Sequence, residues 1–350
     1  MRALETIDPV AALKLFTGRL RLLIAPILRH AERHKNPEAP AAAKRQGDCP
    51  ERLEPVSESV AQTAPASSEA PAHAPSPASI TIIEPRAGWR PIDLAEIWHY
   101  RDLLFFLAWR DIKVRYKQTV LGTAWAIIQP LMTMVVLTIV FGKFGKMAEH
   151  TNVPYPLLTF CGAVPWTLFA ASLTQASNSL ISSQNLISKV YFPRLIIPMS
   201  SVLGALLDFA IALVVLIMMM LVYGLAPLSS VVLLPVFVLL TLMSALAAGL
   251  WLSALNVEYR DIRYTIPFLT QLWLLASPVG YSSSEVPAKW QTLYGLNPMT
   301  GVIEGFRWAL LGTNPPPAGM MLVSGGITVA MLIGGLFYFR RMEKTFADLI

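Results

Sequence analysis

The sequence predicts an all-α integral membrane protein: six transmembrane helices, an amphipathic helix on the cytoplasmic interface and an external re-entrant helical hairpin. Three observations carry that expectation. Of the 350 residues, 54% are hydrophobic and only 14% charged, and the mean hydropathy is +0.52, a balance foreign to ordinary soluble domains. Six segments are each long and apolar enough to cross a hydrocarbon core, which takes about 20 helical residues. The basic residues sit between these segments, where they orient a membrane protein. The net charge of +6 and the pI near 9.3 therefore do not point to nucleic acid, since no basic stripe interleaved with aromatics runs through the hydrophobic part. The two cysteines, Cys49 and Cys161, lie in segments of very different character and indicate neither a disulfide framework nor a metal cluster.

Residues 1–35 form a basic amphipathic segment. Leu13, Phe16, Leu20, Leu23 and Ile27 recur at steps of three and four among Lys14, Arg19, Arg21, Arg29, Arg33 and Lys35, with an interruption at Pro26. A helix lying on a membrane surface and a poorly ordered tail both fit; a signal peptide fits less well, because charge breaks the apolar run. Residues 36–90 are a Pro/Ala-rich linker (Pro37, Pro40, Pro50, Pro55, Pro65, Pro71, Pro75, Pro77). It has too little apolar surface to offset its ordering entropy and is expected to be a disordered tether. Residues 91–118 begin with Asp93 and, three residues later, Glu96, a capping-box-like start. Leu94, Ile97, Trp98, Leu104, Phe105, Ala108, Trp109 and Ile112 follow at helical spacing, and Arg110, Lys113, Arg115 and Lys117 crowd the last turns. Such a helix lies along the cytoplasmic face with its tryptophans at headgroup depth.

The transmembrane region is 119–350, with spans at about 121–141, 157–180, 197–222, 231–255, 264–281 and 320–339. The fifth is short and holds Pro267 and Pro278, so a kink or break is expected there. With the amino terminus cytoplasmic, the inside flanks hold eleven basic residues (Arg110, Lys113, Arg115, Lys117, Lys189, Arg194, Arg260, Arg263, Arg340, Arg341, Lys344) and the outside flanks four (Lys143, Lys146, Lys289, Arg307). Both termini are therefore expected inside. The external stretch 282–317 is too apolar for a solvated loop, with Trp290, Tyr294, Phe306 and Trp308, which suits a hairpin dipping back into the membrane.

No phosphate-binding loop is present; Gly142, Lys143, Gly145 and Lys146 come nearest but lack the upstream glycine. No metal-ligand spacing and no Ser, His and carboxylate set is nominated either, so this chain is expected not to be an enzyme. The internal loop 185–198 is short and amphipathic. Its apolar residues Leu186, Ile187, Val190, Tyr191 and Phe192, followed by Pro193, Arg194 and Pro198, read as a buried docking surface rather than a plain connector.

Four separated motifs resemble the polysaccharide-export permeases of the ABC-2 type, a family that includes O-antigen, capsule and teichoic acid exporters. They are 109–117 (WRDIKVRYK) leading to Gly122 and Trp125, the Tyr191-Phe192-Pro193-Arg194 loop, 256–262 (NVEYRDI), and Asn297-Pro298-Met299 through Gly305-Phe306-Arg307. The similarity covers roughly residues 90 to 350. The resemblance implies a homodimer that binds two copies of an ABC ATPase subunit, with ATP and Mg held by that partner and no cofactor in this chain. It implies export of an undecaprenyl-linked polysaccharide, with an O-antigen the first expectation, across a bacterial inner membrane. Leu186, Tyr191, Phe192, Pro193 and Arg194 would couple to the ATPase. Trp109, Arg110, Arg115, Tyr116, Tyr259, Arg260 and Asp261 would form the cytoplasmic gate and interface. Asn297, Pro298, Glu304 and Arg307 would belong to the external hairpin. A drug or small-lipid exporter is the alternative within the same superfamily.

A glycan path needs polar and aromatic faces. Trp125, Gln129, Phe141, Trp166, Trp273 and Tyr281 are the span residues that could supply them, although for each aromatic singly lipid contact or helix packing competes with that use. Asp208 falls within the third span and shows no intramembrane basic partner in the sequence; an ion site and a structural contact both remain open. Glu304 and Arg307 stand three apart and could pair on one helical face.

Overall fold

A backbone in hydrocarbon must satisfy its own hydrogen bonds, and every regular element among the described residues is helical. The structure, a computed structural model, describes residues 94–117, 122–145, 147, 153–225, 229–259, 261–343 and 346. The amphipathic segment 1–35 and the linker 36–90 lie outside them. Among the described residues, five helical stretches are long and apolar enough to cross a membrane: Ala124–Phe144, Tyr155–Ser182, Ile196–Val222, Ser230–Glu258 and Ala318–Met342.

The interfacial segment forms α1 (Leu94–His99) and α2 (Arg101–Lys117). They join at Tyr100, whose N–H bonds back to Glu96 and whose carbonyl receives the Leu104 N–H, so the helical bonding is not lost. Leu104, Leu107 and Ala108 are buried, whereas Trp98, Phe105 and Trp109 stay exposed at 64–69%. The helix thus has one apolar side for the protein and another for lipid. The first span, α3 (Gly122–Leu137), loosens into a π-helical stretch at Thr138–Phe144.

The second span, α4 (Tyr155–Ser182), is the mast of the bundle. Its 28 residues reach about 42 Å at helical rise, and Leu157, Phe160, Cys161, Phe169, Leu173, Ala176 and Leu180 are fully buried. A short helix α5 (Gln184–Ile187) leads into α6 (Ile196–Gly204) and α7 (Leu206–Val222), which form one span through Ala205. The fourth span, α8 (Leu234–Glu258), packs against α4 across small residues. A Cβ on Gly249 would stand 2.8 Å from that of Ala176, and such close backbone approach is how helices associate where lipid gives no hydrophobic drive. Asn256 adds a cross-helix bond to the Ser177 carbonyl at 2.9 Å.

The fifth segment read from the sequence, 264–281, is realised differently. Helix α9 (Ile262–Ala276) has 15 residues, about 22 Å, against a core of about 30 Å. It stops because Ser277 precedes Pro278, which disfavours helical backbone; Ser277 is extended, with φ −102° and ψ 148°. The chain then turns through Ser283–Glu285 into α10 (Ala288–Tyr294) and α11 (Pro298–Leu311), and ends the bundle with α12 (Ala318–Met342). Helix α11 is buried along 13 of its 14 residues, packed against α4, α8 and α12.

Candidate functional site

The loop between α4 and α6 separates into a crest and a foot. Val190 and Tyr191 are 52% and 72% exposed, whereas Phe192 is 5%. Phe192 and Leu195 enter a buried cluster with Leu104 and Leu107 of α2, Leu180 of α4, and Phe339 and Phe346; Leu186 packs on its edge. Pro193 is buried beside them. Arg194 does not point outward: its guanidinium donates to the Glu343 carbonyl and its backbone N–H to Glu343 Oε1 at 3.3 Å. Of the five coupling candidates, Tyr191 is the one that stands clear, and Phe192, Pro193 and Arg194 hold it up. The support from Glu343 and Phe346 has no signal in local sequence, since it comes from 149 residues away.

The gate candidates fall into two groups. On α2, Trp109 is exposed, and Arg110 is tied to its neighbour Asp111 by two bonds of 2.8 and 3.0 Å. At the end of α8, Tyr259 is exposed, with its phenol pushed up by a hydrogen bond to Glu258. Asp261 precedes α9, and its carbonyl receives the Thr265 hydroxyl at 3.3 Å. Arg260 lies outside the described residues.

Arg115 and Tyr116, in the last turn of α2, converge on Asp208 in the first turn of α7. Arg115 Nη1 meets Oδ2 at 2.5 Å, and the Tyr116 hydroxyl donates to Oδ1. The basic partner that the sequence did not reveal for Asp208 is therefore Arg115, 93 residues earlier. It reaches the carboxylate because α2 runs alongside α6. Burial, and then the bond to Asp208, push the Tyr116 phenol above its ordinary value. Arg115 and Asp208 form one wall of a cleft of about 500 Å³, lined also by Trp125, Gln129, Thr167 and Phe209. Two of the glycan-path candidates, Trp125 and Gln129, are thus brought together there, both exposed.

The other path candidates lie elsewhere and in contact with protein. Trp166, 4% exposed, leans on Phe169 at 5.4 Å between centroids, and Phe169 meets Trp273 edge-on at 5.0 Å. The Trp273 indole N–H donates to Asn297 Oδ1 at 3.0 Å. Phe141 packs on Tyr281 at 5.9 Å, and the Tyr281 and Tyr294 hydroxyls share a 2.7 Å bond.

The hairpin candidates make a single polar knot. Asn297 caps α11 by accepting from the Met299 N–H at 3.1 Å, donates to the Ala276 carbonyl at 3.2 Å and Ser277 Oγ at 2.9 Å, and leads into Pro298 at the first helical position. Glu304 and Arg307 do pair, at 3.1 Å, with side chains only 8% and 1% exposed. Arg307 Nη1 also reaches the Tyr281 carbonyl and Nη2 the Val279 carbonyl, both at 2.8 Å, while Nε reaches Leu158 at 3.4 Å. Glu304 Oε1 accepts the Ser283 N–H at 2.8 Å. Gly162 leaves room for this guanidinium, since a Cβ there would lie 3.0 Å from Nη2 and from the Val279 carbonyl. Arg307 satisfies the Val279 and Tyr281 carbonyls in the turn that follows α9, whereas the Ala276 carbonyl at the helix end is taken by Asn297 and Tyr294; both members of the ion pair are buried. Among the described residues, no group of three or more His, Cys, Asp or Glu side chains gathers as a metal site would require.

The sequence matches the ABC-2 type transporter family over residues 102–311. It is 30% identical over 258 residues to the O-antigen export system permease protein RfbA of Myxococcus xanthus, covering 73% of this chain and 98% of that protein. A protein of the same name from Klebsiella pneumoniae is 29% identical over 253 residues, 71% of this chain and 95% of its own. The polysialic acid transport protein KpsM of Escherichia coli is 22% identical over 242 residues, 67% and 91% of the two chains.

Proposed function

The chain belongs to the ABC-2 type transporter family, and we propose that it works as a homodimeric permease passing an undecaprenyl-linked O-antigen outward across a bacterial inner membrane. It is a multi-pass membrane protein and the permease subunit of an ABC polysaccharide exporter. ATP and Mg are held by a separate ATPase, two copies per dimer, and this chain is not itself catalytic. Both termini face the cytoplasm, which places the α4–α6 loop on the ATPase side and the α10–α11 hairpin outside, dipping back into the outer half of the membrane. Helix α9 with the turn after it completes a sixth span.

The observation that carries this reading is the crest of the loop. Tyr191 and Val190 are exposed on a foot that is buried against α2 and the end of α12, a form suited to receiving a push without folding away. The homodimer is supported by two apolar helix faces that the chain leaves open. Trp125, Ile128, Met132, Val136 and Ile139 of the first span are 40–62% exposed, and Tyr264, Phe268, Leu272 and Leu275 of α9 are 50–81% exposed. Trp125 and Gln129 then border the glycan path.

Co-purification from cells that also express the partner ATPase tests the reading. Two copies of each subunit are expected, and Tyr191→Ala should lower the yield of ATPase while the permease stays inserted. A deletion strain should retain lipid-linked polysaccharide inside. Retention of a small lipid or drug in its place would favour the alternative ABC-2 exporter, and transport by the purified chain without any ATPase would end the proposal.

A further inference from the structure

Helix α2 touches both halves of the mechanism. Leu104 and Leu107 sit in the cluster that supports the coupling loop, together with Phe192, Leu195 and Phe339. About two turns further along, Arg115 and Tyr116 close on the two oxygens of Asp208 at the wall of the cleft. The helix is continuous between these points, so a displacement of the loop's foot is carried to the Asp208 contact by a rigid element. The structure shows this contact closed. A carboxylate in an apolar span is costly when its cation and hydrogen-bond donor are withdrawn, so it is either closed and satisfied or open and hydrated through the cleft.

We propose that Asp208 is a positioning residue for export: it clamps the end of α2 against α7 over the Trp125 and Gln129 cleft, and the ATPase stroke opens the cleft by releasing that clamp. This rests on the reading that the ATPase docks at the α4–α6 loop. It also assigns Asp208 a role other than carrying an ion, because both carboxylate oxygens are already engaged by Arg115 and Tyr116.

The test uses the full permease with its ATPase in cells, in a background lacking Cys49 and Cys161. Tyr116→Cys and Asp208→Cys together are treated with ethane-1,2-diyl bis(methanethiosulfonate), which ties the two positions reversibly. Surface polysaccharide is read by periodate labelling of intact cells. Cross-linking is expected to stop export, and dithiothreitol to restore it, with the ATPase still bound; export that continues at the untreated rate would overturn the clamp. Asp208→Asn provides the second arm should the double variant not assemble. Its ATP hydrolysed per polymer exported is expected to rise at least roughly fivefold, the lower edge of typical coupling between sites. A residue that only stabilised the fold would lower abundance and hydrolysis together, leaving that ratio unchanged, and this result refutes the proposal. Loss of ATPase co-purification from the unmodified chain would instead remove the docking reading beneath it, so the two failures are separable.

Discussion

Replacing Glu304 isolates what the buried knot around α11 contributes. Glu304→Ala removes the only carboxylate bonded to Arg307 among the described ion pairs and leaves the Ser283 N–H, bonded at 2.8 Å, without its acceptor. Withdrawing one partner of a buried pair costs about 3–5 kcal/mol. At about 2–4 °C per kcal/mol for domains of this size, the expected fall in melting temperature is on the order of 10 °C. Glu304→Gln keeps an amide oxygen for Ser283 and loses only the charge, so a smaller fall is expected. Arg307→Met should be the worst of the three, because it also strips donors from the Leu158, Val279 and Tyr281 carbonyls. The measurement is thermal loss of the monodisperse peak of the detergent-solubilised protein. A Glu304→Ala shift within about 2 °C of zero would refute the argument that the buried pair matters, and Gln no milder than Ala would refute a contribution from the Ser283 bond.

Gly162→Ala should mimic part of the Arg307 loss, costing about 1–3 kcal/mol by crowding, since the new methyl meets Nη2 and the Val279 carbonyl at 3.0 Å; the same melting assay reads it. Phe192→Ala empties a site in the cluster beneath the loop and should cost about 3–5 kcal/mol, whereas Tyr191→Ala, at an exposed position, should stay within about 0.5 kcal/mol yet lower ATPase co-purification. The raised phenol of Tyr116 predicts that its stabilising contribution is complete below the ordinary tyrosine value of about 10 and is lost as pH climbs through the higher folded value. A Tyr116→Phe difference titration at the phenolate absorbance should accordingly show no ionisation of this group at pH 10, and a full step there would contradict it.

The class of the protein was legible because lipid imposes a single strong rule, and the apolar runs at 121–141, 157–180, 197–222, 231–255 and 320–339 each overlap a helix long enough to span. In the segment 264–281 the expected break falls at Pro278, which ends α9 two residues ahead of itself and leaves a helix shorter than the apolar run. The Glu304 and Arg307 pair was readable from helical spacing, because both partners lie on one helix. Asp208 was not, since its partners are 92 and 93 residues away and composition carries no record of which helices lie side by side. The same limit blurred the loop at 185–198: its apolar residues announced a surface to be buried, but could not say that the end of α12 would bury Phe192 while leaving Tyr191 outside.

That dependence on the end of α12 has a consequence for how the protein is made. The foot of the coupling loop is closed by Glu343 and Phe346, and three of the five long apolar helices are synthesised between the loop and those residues. During translation the loop is therefore made well before Glu343 and Phe346, and their side of Phe192 stays uncovered until they follow. With the ATPase docked at this loop as proposed, a finished seat would report that the last span has been inserted and folded home, and partner recruitment would double as a check on permease assembly.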